Sequence, residues 1–263
     1  SFPTRRSSDL VFTKDLDLKH TEPTFEVNSK EFDNIVRSRR SVRVFTSEKI
    51  PQEDIDKAID HGLIAPNSSN LQPWEFHIVS SQDKKDELAK YCFSQNGAKT
   101  ASHLIVCVAK TNTWKKHCDE TIKGMEKSGQ EVPAVVYQYY KKIAPAAYGM
   151  MGPLGIFSPL KWLLLNSIGL FKVMARGPIW PSDLKTWAVK TTALACENIM
   201  LSLRSMNHDT LAMEGFDETR VKKMLKLDRY SHVVMVIAAG KRSEKGIYGP
   251  QARFPREWFV HNH

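Results

Sequence analysis

The stretch LKTWAVKTTALACENIMLSLRSMN at residues 184–207, followed after one residue by DTLAMEGFD at 209–217, decides the fold class. Its first part is apolar on most sides of a helical projection, the pattern of a helix buried in the middle of a domain, with Asp183 at its cap. The second part reads as a short strand at DTLAM, a turn at EGF, and a helix from Asp217 to Leu227 leading into the strand HVVMVIAAG at 232–240. Connections this short do not allow repeated parallel crossover units. The expected class is therefore α+β rather than a doubly wound sheet.

Working outward, HLIVCVAK at 103–110 is apolar enough to be a central strand. EFHIVS at 75–80 reads as a strand followed by a polar helix around QDKKDELAKYC. Further upstream, Pro51 stands at a first helical position, and Ile55, Ile59 and Leu63 recur every four residues in a helix that ends before Pro66. Phe32, Ile35 and Val36 mark another short helix from Glu31. Residues 114–148 read as helical, with aromatic residues at Tyr137, Tyr139 and Tyr140. Residues 1–30 read as an arm, whose first ten, SFPTRRSSDL, lack the apolar core of a signal peptide and read as non-native sequence. Residues 31–263 are expected to form a single domain.

With 263 residues, 41% hydrophobic and 25% charged, the composition excludes disordered and collagen-like classes. A formal charge of +9 favours anionic partners. The four cysteines, Cys92, Cys107, Cys118 and Cys196, have neither paired nor framework spacing, which points to a reducing, cytoplasmic compartment. Phosphate-cradling loops, zinc-protease helices and nucleophile elbows are missing from the sequence, and His117 beside Cys118 reads as a surface pair, so no metal is expected.

Three segments carry chemistry. In RRSVRVF (39–45), an extended chain would put Arg39, Ser41 and Arg43 on one face as a donor strip for an anion. APNSSNLQPWEF (65–76) sets short hydrogen-bonding residues before a strand. In AMEGFD (212–217), Gly215 permits close backbone approach and successive N–H groups can face a ligand.

In this order, and together with SHLIVCVAK (102–110) and PQARFP (250–255), these segments resemble the nitroreductase family of FMN-dependent oxidoreductases. The resemblance implies an antiparallel sheet wrapped by helices and an intertwined homodimer with two FMN sites at the subunit interface. It implies that Arg39, Arg40, Ser41 and Arg43 hold FMN from one subunit, with Arg43 at the N1 and C2 carbonyl edge, where reduction leaves negative charge. Pro66, Asn67, Ser68 and Asn70 would come from the partner, and Asn96 would reach the pyrimidine edge. Glu214 and Gly215 would set backbone N–H groups against N5 and O4, and Arg253 would bind the phosphate. Two positions depart from the family pattern: Gln251 stands where members often have lysine, and Ala212 where many have proline.

The activity so implied takes hydride from NAD(P)H and passes it, by a ping-pong mechanism, to a nitroaromatic, quinone or other electrophilic acceptor. Two alternatives stay open on the sequence: a flavin-dependent dehalogenase or flavin-cleaving enzyme of the same fold, and a non-catalytic basic protein that binds nucleic acid or a membrane surface. The enzyme reading needs no nucleic acid. The stretch from Tyr148 to Trp180, with Lys161, Lys172 and Arg176 its charged residues, stands out as an apolar insertion. It admits three roles: core packing through Trp162, Leu163, Leu164, Leu165, Ile168 and Phe171, a lid forming a pocket for a bulky apolar acceptor, or a peripheral membrane contact.

Overall fold

The computed structural model describes residues 23–129 and 132–263. The arm expected over residues 1–30 thus lies, up to residue 22, outside the described residues. Four strands form one antiparallel sheet: β1 (Trp74–Val79), β2 (His103–Lys110), β3 (Asp209–Met213) and β4 (Ser231–Gly240), in the order β1-β2-β4-β3. Every residue of β2 is buried, as its unbroken apolar run requires of a strand covered on both faces.

Alternation along β2 builds the two layers around it. Ile105 and Cys107 face α2 (Gln52–Leu63) and α9 (Pro181–Ser205), where Ile55, Ala58, Cys196, Ile199 and Leu203 close the core. Leu104, Val106 and Val108 face the opposite layer, made by α3 (Gln82–Tyr91), α4 (Asn96–Thr100) and α10 (Glu218–Met224). A register shift between Cys107 and Val108 leaves Val234 unopposed in β4. The remaining helices are α1 (Ser29–Ser38), α5 (Trp114–Lys127), α6 (Ala134–Gln138), α7 (Ala144–Gly149) and α8 (Ser158–Gly169).

Several expectations shift in detail. The long helix starts at Pro181, whose missing N–H costs nothing at a first helical position, so Asp183 lies inside the first turn. Its carboxylate reaches back to accept from Ile179 N (2.8 Å) and Trp180 N (2.9 Å). Pro51 caps α2 rather than opening it, and the helix after Asp217 stops at Met224. The helical run expected over 114–148 breaks near Gly129, whose φ of 72° is left-handed, and resumes as α6, a π turn over Tyr139–Ile143, and α7. Cys118 is buried, not superficial, because it and Ile122 share the inner face of α5. Of the residues named for core packing in the apolar insertion, Trp162, Leu163, Leu164, Ile168 and Phe171 are exposed and Leu165 is half-buried, while Tyr148, Met151 and Ile179 of the same stretch are buried.

One close approach fixes the α2–α9 contact. A Cβ on Gly62 would sit 2.7 Å from Cγ1 of the buried Ile199. Gly62→Ala gains ~1 kcal/mol in a free helix, yet here it should lower stability by ~1–3 kcal/mol through overpacking. Urea titration measures the loss, and a stabilised variant would mean that the two helices part freely.

A polar clasp joins the ends of β2 and β4. Burial alone would raise the Asp228 pKa, but hydrogen bonds from Lys110 Nζ (2.9 Å), Ser231 Oγ (2.7 Å) and Tyr230 N (3.0 Å) reverse this and hold it down to about 2. A depressed folded pKa contributes stability above the unfolded carboxyl value, ~4, and that stability is lost as pH falls through the folded value, about 2. Stability measured against pH should therefore fall more steeply for the parent than for Asp228→Asn across this acid window, and parallel curves would remove the clasp from the account.

Candidate active site

Beyond the end of α1, Arg39 turns extended (φ −64°, ψ 122°). The following strip is held between β3 and the segment after β4. Val42 N donates to Thr210 O (3.0 Å), Arg43 N to Gly246 O (2.7 Å) and Thr46 N to Lys241 O (2.8 Å). Val42 is wholly buried while Ser41 and Arg43 point outward, so the alternation expected of an extended strip holds over these residues.

Arg39, Arg40, Ser41 and Arg43 then line one open cavity of about 220 Å³, whose other wall is the tail from Ile247 to Arg253, including Gln251. Four guanidiniums thus share a small space whose described lining holds no acidic side chain. Glu197 stands 3.8 Å from Arg39 Nε as a distant counter-charge. The neutral contacts set positions. Arg40 Nη2 donates to Gly249 O (2.6 Å), Arg253 Nη1 to Ala252 O (2.7 Å), and the Arg43 guanidinium sits 5.4 Å from the ring centroid of Tyr248. Such an array is suited to an anion with several acceptor oxygens, a phosphate above all.

Tyr248 also accepts from Asn96 Nδ2 (3.3 Å), and the neighbouring Gln95 Nε2 donates to Gly215 O (3.0 Å). The chain therefore links the Asn96 and Glu214–Gly215 segments to the edge of the arginine cavity. Neither Tyr248 nor Gln95 stood out in the sequence. An aromatic residue two positions before the PQARFP segment was the available signal for Tyr248. Gly215 has no positive φ, and a Cβ there would meet its nearest atom only at 3.5 Å. The chain's own packing does not demand glycine at this position.

The loop with Pro66, Asn67, Ser68 and Asn70 is elsewhere. Ser69, Asn70 and Gln72 adopt positive φ, and the loop is braced by Asn67 Oδ1 accepting from Gln72 N (2.9 Å), by Tyr140 Oη donating to Ser69 O (3.1 Å), and by His117 Nδ1 on Leu71 O (2.6 Å). Ser68 and Asn70 remain exposed. This loop leads into β1, one edge of the sheet, whereas Glu214 follows β3 and Ser41 pairs with Thr210 of β3, the other edge. Four strands at their usual spacing put the two edges ~14 Å apart. Within one chain the structure brings the arginine residues together and leaves the loop apart from them.

Cysteine chemistry is not available to the site. All four thiols are buried, and burial pushes Cys92 and Cys118 up to about 11 and Cys107 upward, so these three are not thiolates near neutrality.

Known proteins share this architecture. The Bacillus subtilis protein YdfN superposes with a TM-score of 0.73 at 23% identity, covering 90% of this chain and all of its own. A protein of Exiguobacterium sibiricum solved in complex with FMN superposes with a TM-score of 0.66 at 20% identity, covering 93% of this chain and all of its own. In sequence, YfkO of Bacillus subtilis, provisionally named an NAD(P)H nitroreductase, is 24% identical over 217 residues, 80% of this chain and 83% of that protein. The Nitroreductase family model matches residues 36–241, and the chain belongs to that family.

Proposed function

We propose that the chain is an FMN-dependent oxidoreductase that takes hydride from NAD(P)H and, by a ping-pong mechanism, reduces a nitroaromatic, quinone or other electrophilic acceptor. The single observation that carries this reading is the acid-free cavity of four guanidiniums, which matches a phosphate dianion on a small cofactor. FMN, when bound, supplies hydride transfer at its N5.

The chain's own groups supply the rest. Arg39, Arg40 and Arg253 would hold the phosphate, with Gln251 adding a neutral donor where relatives often place a lysine. Arg43, steadied over Tyr248, would stabilise negative charge gathering at the pyrimidine edge, which Asn96 borders. Glu214 and Gly215 would offer backbone N–H groups from the end of β3. That Gly215 is demanded neither by φ nor by packing supports a ligand at this turn.

The functional unit in this reading is a homodimer of residues 31–263 acting as one FMN-binding domain. The ~14 Å of sheet between the arginine strip and the Pro66–Asn70 loop leaves the second copy to bring its loop to the first copy's cavity. Unpartnered surface agrees with this: Phe32 of α1 is 59% exposed, and Phe254, stacked on Trp258 at 5.3 Å, leaves both rings exposed in the tail. Free, buried thiols suit a reducing cytoplasm.

Arg39→Ala and Arg253→Ala should each weaken FMN binding by roughly one to two decades, since a charge-assisted hydrogen bond contributes ~1.5–3 kcal/mol. Quenching of flavin fluorescence on titration reads this, and unchanged affinity in both variants would overturn the assignment.

Shared sites predict complementation. Arg39→Ala/Arg253→Ala disables one half of each site and Ser68→Trp blocks the other half, so each variant alone should hold little flavin. Chains unfolded together and refolded as random dimers should regain about a quarter of the parental sites, because each mixed dimer has one intact pairing. No recovery would place the whole site in one chain.

A further inference from the structure

The helix α8 is built inside out. Its one cation, Lys161, is 5% exposed and donates from Nζ to Ala147 O at 2.6 Å, and burial pushes its pKa down. Its neighbours Trp162 and Leu163 are 50% and 56% exposed, and Leu160 and Leu164 also face outward. Phe157 before the helix and Phe171 after it extend the same apolar surface. A helix packed on a soluble core shows the opposite order, charged groups out and Trp and Leu in. Exposed apolar patches of this kind mark a binding surface.

Charge selects the occupant. From residue 132 to residue 182 the sequence contains no Asp or Glu, while Lys172 and Arg176 stand exposed beside the apolar residues. Arg176 also closes the end of α8, donating to Gly169 O (2.8 Å) and Asn166 Oδ1 (3.1 Å), so the helix terminus keeps few unmet polar groups. A second copy placed face to face by two-fold symmetry would set these cations near their own counterparts with no acid to pair them, which disfavours that occupant. An anionic lipid surface meets both features, taking the apolar side chains into the acyl boundary and the cations among the headgroups. Spanning is excluded by length: twelve residues reach ~18 Å, short of the ~30 Å hydrocarbon core.

We infer that α8 and its flanks form a peripheral membrane-docking surface that lies in the headgroup layer of an anionic bilayer. The inference stands apart from the flavin reading, since it uses none of the residues assigned to the cavity.

The test is flotation of the full-length protein with vesicles of phosphatidylcholine alone and of phosphatidylcholine mixed with phosphatidylglycerol. The parent should float with the mixed vesicles, less so as salt rises, and weakly with phosphatidylcholine. Leu163→Glu/Leu164→Glu should lower partitioning at least about tenfold while FMN content and sedimentation stay parental. As a check that does not depend on a disruptive change, vesicles with brominated acyl chains should quench parental tryptophan fluorescence, and Trp162→Phe should abolish most of that quenching. Three results would each overturn the inference: no binding to anionic vesicles at low salt, binding that survives both changes, or a smaller assembly for the leucine variant without vesicles, which would make a second copy the occupant.

Discussion

Both faces of the four-stranded sheet are closed by helices, and this constraint decides where chemistry can occur. With β2 buried along its whole length and α9 and α2 on one side, α3 and α10 on the other, the sheet has no face left for a ligand. Polar work is moved to edges and ends. The β3 edge would present unpaired backbone groups, and the strip from Ser41 to Thr46 covers it in part through Val42 and the pairing of Ser41 with Thr210. Because the strip satisfies its backbone this way and turns Val42 and Phe45 inward, its one arginine, Arg43, is left to face out. The guanidinium cavity is a by-product of protecting an edge.

The opposite edge follows another logic. The loop before β1 is held in left-handed conformations at Ser69, Asn70 and Gln72, which cost energy for residues other than glycine. Tyr139 and Tyr140 brace it, through the contact of Tyr139 Oη with Ser69 Oγ and the bond from Tyr140 to Ser69 O. The loop is held firmly, and it leaves Ser68 and Asn70 exposed, as the proposed dimer requires of residues offered to a partner.

The fold was legible where burial is one-dimensional. HLIVCVAK reads as a strand covered on both sides because all its residues are apolar but the terminal His103 and Lys110, and the structure gives these terminal residues partners, Ser102 Oγ for His103 and Asp228 and Ser231 for Lys110. The sequence places the start of α9 three residues late because Pro181 and Asp183 both signal a helix beginning, and only the reach of the carboxylate to Ile179 N tells them apart. Of the site, the arginines were legible because alternation in a short extended strip follows from backbone geometry. Tyr248 and Gln95 were not, since their roles come from contacts with residues more than a hundred positions away, Arg43 and Asn96 in one case and Gly215 in the other. The outward face of α8 was hidden for the same reason. Trp162, Leu163 and Leu164 look like core until the orientation of Lys161 is known.

That orientation is set by a bond rather than by hydrophobicity. Turning α8 to bury its leucines would carry Lys161 toward water, where an ammonium is better solvated, so neither the apolar groups nor the charge gains from the arrangement seen. What opposes the turn is local: Ser158 Oγ donates to Ile179 O at 2.8 Å, Lys161 to Ala147 O, and Arg176 to Gly169 O, three contacts that fix both ends of the helix against its surroundings. Exposure of the apolar side is therefore built into the connections on either side of α8. A surface maintained against its own hydrophobic driving force is stable in water only at a cost, and the cost is recovered when a bilayer takes the apolar side chains and its headgroups take Lys172.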